Sequence, residues 1–110
     1  ISHSELEQLI RRADIVCHLA AAVGVELVVH DPVRTIMTNV SGTERILKLA
    51  SLYNKRCVVA STSEVYGKSA KDFFSEEDDL LIGAPTNSRC SYACSKLLDE
   101  FMVMAYNRNQ

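Results

Sequence analysis

Basic blocks are missing from this chain of 110 residues: 12 Lys and Arg are scattered among 14 Asp and Glu, for a formal charge of −2. The electrostatic footprint of a nucleic-acid binder is absent with them, which leaves small molecules or protein as the expected partners. Long apolar runs are missing too, because the stretch over residues 15–29 is interrupted by His18 and Glu26. No charged-then-apolar leader opens the chain, so neither a membrane span nor a signal peptide is expected, and a cytoplasmic location follows. The four cysteines, at 17, 57, 90 and 94, form no C-x2-C pair. They are expected to be free thiols, with no metal site. Repeats and low-complexity tracts are also lacking.

What is present alternates between helix and strand. Ser4-Glu5-Leu6-Glu7 has the spacing of a capping box, with Ser4 facing the free amides and Glu7 answering back, and predicts a short helix to Arg12. Residues 15–20 form a continuous apolar run of strand length, as in a strand covered on both faces. Asp31-Pro32 is a strong helix start, since the aspartate caps the first turn and proline sits where its missing N–H costs nothing. In the long helix that follows, Ile36, Val40, Thr43, Leu47 and Ala50 fall on one face. Gly42 within it costs about 1 kcal/mol relative to alanine, which suggests a close approach by a neighbouring backbone.

Residues 56–61 are a second strand of the buried type. Residues 91–106, with Leu97, Leu98, Phe101, Met102 and Ala105, form a second long helix. Strands that alternate with long helices imply crossover units on a parallel sheet, a doubly wound α/β arrangement. Two strands alone cannot bury both of their faces, and the chain has no initiator methionine, so it is expected to be part of a larger domain. A polar connection over residues 68–89 holds Glu76-Glu77-Asp78-Asp79 and is long for a compact domain.

Ligands of open α/β sheets bind beyond the carboxyl ends of the strands, which directs attention to the residues after Ala20 and Ala60. Ser61-Thr62-Ser63-Glu64 puts three hydroxyls and a carboxylate at the second of these ends. Taken alone, that segment is an ordinary polar strand-to-loop transition. In Tyr92-Ala93-Cys94-Ser95-Lys96, tyrosine and lysine lie four apart on one helix face, where an ammonium is expected to lower the phenol's pKa. A phenolate near neutral pH is a general base. Coupled to the hydroxyl cluster, the pair becomes a candidate proton relay for oxidising an alcohol.

Ser-Thr-Ser-Glu-Val-Tyr-Gly at 61–67, followed by Tyr92-x3-Lys96, resembles the extended short-chain dehydrogenases/reductases that act on nucleotide sugars, the NAD-dependent epimerase/dehydratase family. His18-Leu19-Ala20-Ala21, Asp31-Pro32 and Thr38-Asn39-Val40-x-Gly42-Thr43 resemble the same family in the right order. The resemblance implies that residues 1–110 are the central portion of an NAD(P)-binding Rossmann domain without its first βαβ unit or its C-terminal substrate domain. No G-x-G-x-x-G turn exists in the chain. NAD is thus inherited from the family, and an isolated piece of this kind is expected to be inactive.

By that resemblance Tyr92 takes the proton of the sugar C4 hydroxyl, Thr62 hydrogen-bonds that hydroxyl, and Lys96 holds the nicotinamide ribose and tunes Tyr92. Ala20, Ala21, Asn39 and Ser61 match positions that lie against the cofactor or support its site. His18 reads as a structural histidine behind it. The Thr62-Ser63-Glu64 order resembles uronate decarboxylases and GDP-mannose dehydratases more than simple 4-epimerases. UDP-glucuronate decarboxylation is therefore favoured, with 4,6-dehydration or UDP-glucose 4-epimerisation as alternatives. A non-catalytic dinucleotide sensor is the rival outside the class. Relatives dimerise through their two long helices, which implies a homodimer, with Phe101 and Met102 as candidates for its face.

Overall fold

The computed structural model describes residues 3–108. Helix α1 (His3–Arg12) leads into strand β1 (Ile15–His18), and a short helix α2 (Val25–His30) precedes the long helix α3 (Pro32–Leu52). Strand β2 (Arg56–Val59) then gives way to a 3-10 turn (Ser63–Tyr66), and helix α4 (Cys90–Arg108) ends the order. The two strands pair in parallel, from Ile15 opposite Arg56 to His18 opposite Val59. The ladder runs one bond further, because Ala60 N–H donates to the His18 carbonyl at 3.1 Å.

Local chemistry accounts for the helix boundaries. Asp31 caps α3 by accepting from Arg34 N–H at 3.1 Å, with Pro32 at the first helical position. Helix α1 differs from expectation, since it is already helical at His3 and Ser4 lies inside it. Glu7 accepts a bond from the Tyr53 hydroxyl, which ties α1 to the end of α3 and raises the phenol's pKa. Helix α2 had no clear sequence signal: its six residues, four of them apolar, are too few to establish a period.

The strands are less covered than their apolar sequences imply. Val16, His18, Cys57 and Val59 are half-buried, whereas Ile15, Cys17, Arg56 and Val58 are exposed. Helix α3 packs on both strands and α4 on β2, and these contacts leave alternate side chains open. The apolar core lies along α3, at Leu47, Leu49 and Ala50, with Val28 of α2 and Ile10 of α1. Each of the larger of these side chains contributes about 2 kcal/mol by leaving water.

The long helices meet through polar as well as apolar groups. The buried face of α3 is Thr35, Asn39, Thr43, Leu47 and Ala50, so the expected stripe is displaced by one position at its start and Ile36 is exposed. Helix α4 departs further, burying Ala93, Ser95, Lys96 and Asp99 while Leu98 and Phe101 face outward. Met102 is half-buried. Gly42 brings no neighbour close, since a Cβ there would meet nothing within 4 Å. The expectation of a tight backbone approach at Gly42 is therefore wrong, and the close approach occurs instead at Gly67, where nothing in the sequence announced it. There φ is +60°, and a Cβ would stand 2.3 Å from the Leu81 carbonyl oxygen.

Candidate active site

The site is assembled where β1 and β2 end. Beyond β2, Thr62 is extended and its hydroxyl accepts from Glu64 N–H at 3.3 Å, capping the 3-10 turn that presents Ser63 and Glu64. Gly67 ends the turn and pairs with Leu81, with Lys68 N–H donating to the Leu81 carbonyl at 3.0 Å. The connection over residues 68–89 is thereby folded back over the strand end, and Phe74 stacks on Tyr66 with ring centroids 4.6 Å apart.

A cavity of about 850 Å³ opens at this end of β2, lined by Ser61, Thr62, Ser63, Lys96, Asp99 and Glu100 among others. Glu76, Glu77 and Asp78 of the connection reach its wall as well. Ser61 hydroxyl donates to Glu100, which fastens the strand end to α4. Of the residues singled out from the sequence, Ser61, Thr62, Ser63 and Lys96 are brought together here. Tyr92 is half-buried one helical turn before Lys96 and does not line this cavity. Glu64 is exposed but acts on Tyr92 electrostatically.

Lys96 and Asp99 form a buried ion pair, Nζ to Oδ2 2.8 Å, at 3% and 1% exposure. The second carboxylate oxygen of Asp99 is buried with no partner. This arrangement corrects the expected tuning of Tyr92. Its pKa is raised, first by burial and then by the charges of Glu64 and Asp99. The ammonium expected to lower it is turned to Asp99 instead.

Beyond β1, Ala20 is exposed and Ala21 half-buried, and the loop they start is held by Asn39. The Asn39 amide accepts from Ala22 N–H at 2.7 Å and donates to the Ala22 carbonyl at 3.2 Å and to Ser95 Oγ at 3.1 Å. Ser95 Oγ in turn donates to the Tyr92 carbonyl at 2.8 Å. One buried amide therefore ties the loop after β1 to the helix carrying Tyr92 and Lys96, a supporting role. His18 Nε2 shares a 3.1 Å hydrogen bond with Thr43 Oγ1, and its pKa is lowered by burial, then by Lys96, with Asp99 opposing. A neutral structural histidine fits those facts.

Sequence reasoning gave no site role to Asp99, Ser95, Thr43 or Glu100. Asp99 had a signal, since it follows Lys96 by three positions on a helix. The bonds of Ser95 to Asn39, Thr43 to His18 and Glu100 to Ser61 gave none, because those partners are distant in sequence. Among the described residues no cluster of His, Cys, Asp and Glu could hold a metal ion, no helix is long and apolar enough to cross a membrane, and all four cysteines are free.

Two parallel strands ending in a hydroxyl cluster, beside a helix bearing Tyr-x3-Lys, define an extended short-chain dehydrogenase/reductase built on a Rossmann fold. The chain belongs to the family described as GDP-mannose 4,6 dehydratase, which it matches over residues 2–110. It is 41% identical to a UDP-N-acetyl-alpha-D-glucosaminuronate decarboxylase of Bacillus cytotoxicus over 106 residues, 96% of this chain and 33% of that protein. The solved structure of PbgP3 protein from Burkholderia pseudomallei superposes with a TM-score of 0.94 at 29% identity, over 99% of this chain and 33% of that one. A UDP-glucose 4-epimerase of Bifidobacterium longum, solved with NAD+ and UDP, gives a TM-score of 0.83 at 25% identity, over 99% of this chain and 32% of that one. The chain thus spans about a third of the length of each of these relatives.

Proposed function

We propose that this chain carries the catalytic centre of an NAD-dependent nucleotide-sugar enzyme that works through a transient 4-keto sugar, and that its reaction is decarboxylation of a UDP-linked uronic acid. The observation that carries this reading is the meeting of Thr62, Ser63 and Lys96 in one cavity at the end of a parallel strand, one helical turn from Tyr92. The residues fit the nicotinamide-riboside end of the cofactor. Small side chains at Ala20 and Ala21 leave room beside a flat ring, and Lys96 uses only one of its ammonium hydrogens on Asp99. The dinucleotide, when bound, supplies the hydride acceptor and returns the hydride.

In this mechanism Tyr92 takes the proton of the C4 hydroxyl as the C4–H bond yields its hydride, and Thr62 hydrogen-bonds the same oxygen. The resulting C4 ketone stands β to the uronate carboxylate. The C5–C6 bond can then break with its electrons passing to the C4 oxygen, which releases CO2. Glu64, one residue beyond Ser63, is the carboxylate that this reading assigns to C5, where a proton must be restored. Dehydration at C5 and C6 is the second reading, favoured by the family to which the chain belongs.

Two features of the whole protein belong to the same proposal. A homodimer through α3 and α4 is supported by the large apolar side chains those helices expose, among them Met37, Leu98, Phe101 and Met104. Residence in the cytoplasm is supported by four unpaired thiols.

The test is to incubate the full-length protein carrying this sequence with NAD and a panel of UDP-, GDP- and dTDP-sugars and weigh the products. Loss of CO2 from a UDP-uronic acid is expected. Loss of water selects the second reading, and no turnover of any sugar by protein that binds NAD discards both. Tyr92→Phe should lose about a hundredfold or more in turnover with NAD binding retained. Near-normal turnover by that variant removes the phenol from the mechanism.

A further inference from the structure

The ion pair beneath the strand end is unusual for its burial. Lys96 and Asp99 are both almost fully enclosed, and such charges persist inside a protein only when each compensates the other. They stand three residues apart on α4, so one rigid helical turn sets their spacing. A lysine head on a four-carbon stem has many positions open to it, and the 2.8 Å bond selects one, against the cavity wall. The same carboxylate acts beyond this pair: its charge reaches Tyr92 and His18, and its second oxygen is buried without a hydrogen-bond partner.

We propose that Asp99 is the positioning residue of the site: its carboxylate fixes the Lys96 ammonium at the end of β2 and keeps it engaged with itself rather than with Tyr92. The proposal rests on the functional reading above. The groups that face the pair and the phenol are His18 on β1, which is neutral, Thr43 on α3, which holds His18, Glu64 on the 3-10 turn, and Tyr92 on α4. Glu64 and Asp99 are therefore the two negative charges that bear on the phenol among the described residues. Of these only Asp99 also holds the lysine. While the pair is intact the phenol keeps its proton, and any ligand group that draws the ammonium away from Asp99 towards Tyr92 eases the proton's departure.

The test uses the full-length protein without dinucleotide. Ionisation of Tyr92 is followed by tyrosinate absorbance, as the difference between the protein and its Tyr92→Phe variant. Asp99→Asn, which keeps the shape and removes the charge, is expected to lower the proton affinity of Tyr92 by about threefold or more. The acid limb of the kcat profile should move to lower pH in step. Asp99→Glu, with the charge retained, is expected to keep both near those of the parent. A Tyr92 titration unchanged in folded Asp99→Asn overturns the proposal. Should Asp99→Asn not fold, Asp99→Glu decides: a displaced Tyr92 titration, or loss of the fold, overturns it. Because the titration needs no substrate, failure of every nucleotide sugar to react would sink the functional reading and still leave Asp99 judged on its own readout.

Discussion

His18 illustrates how single residues at this site act through their surroundings. Burial first, and the Lys96 charge second, lower its pKa below 6.5, so the unfolded chain binds a proton that the folded chain refuses. Stability tied to His18 is therefore fully present above about pH 6.5 and declines as pH falls through the lowered folded value. The expected result is that the parent loses stability between pH 7 and pH 5 more steeply than His18→Asn, measured by denaturant midpoints. Equal slopes would show that folding leaves the proton affinity of the ring unchanged. Asn39 acts similarly without titrating. It satisfies both backbone groups of Ala22 and a serine of α4, and its loss would leave several part-buried groups unpaired at about 1 kcal/mol or more each.

Gly67 shows what the 3-10 turn requires. The turn has to reverse the chain so that Thr62 and Ser63 stay at the cavity while the following connection pairs with Leu81. That reversal needs a positive φ and direct backbone approach, and only glycine supplies both. Gly67→Ala is expected to destabilise the protein by about 2 kcal/mol or more, measured by thermal or denaturant unfolding, with turnover lost further as Glu64 shifts. An alanine variant of normal stability would mean that the turn relaxes freely. Elements of this kind divide sharply in legibility. Helix α3 was readable because Asp31 and Pro32 announce it and about twenty residues sustain its period, whereas α2 and the 3-10 turn are too short for any period to form.

Across the molecule, two of the apolar side chains that give α4 its helical pattern, Leu98 and Phe101, are on its surface. Leu98 is 45% and Phe101 65% exposed, because the inner face of the helix is given to Ser95, Lys96 and Asp99. Pattern reasoning assumes that apolar residues mark the buried face, and a helix that carries a polar site inward reverses the assumption. In the proposed homodimer the displaced apolar surface is the face that a second copy covers. Phe101→Glu combined with Met37→Glu should convert a dimeric full-length protein to monomer in sedimentation, without loss of fold. An unchanged sedimentation coefficient would rule out this face.

By itself the sequence determined the order of the main elements, the parallel pairing of two apolar strands, and the residues that end them, because caps, apolar runs and a Tyr-x3-Lys spacing are properties of neighbours along the chain. Tertiary structure alone decided which way those residues turn. It paired Lys96 with Asp99, set Asn39 between the loop after β1 and Ser95, and raised rather than lowered the pKa of Tyr92. Those outcomes depend on burial and on charges brought together from separate elements. Burial and charge act through space, at a range that spacing along the chain does not encode.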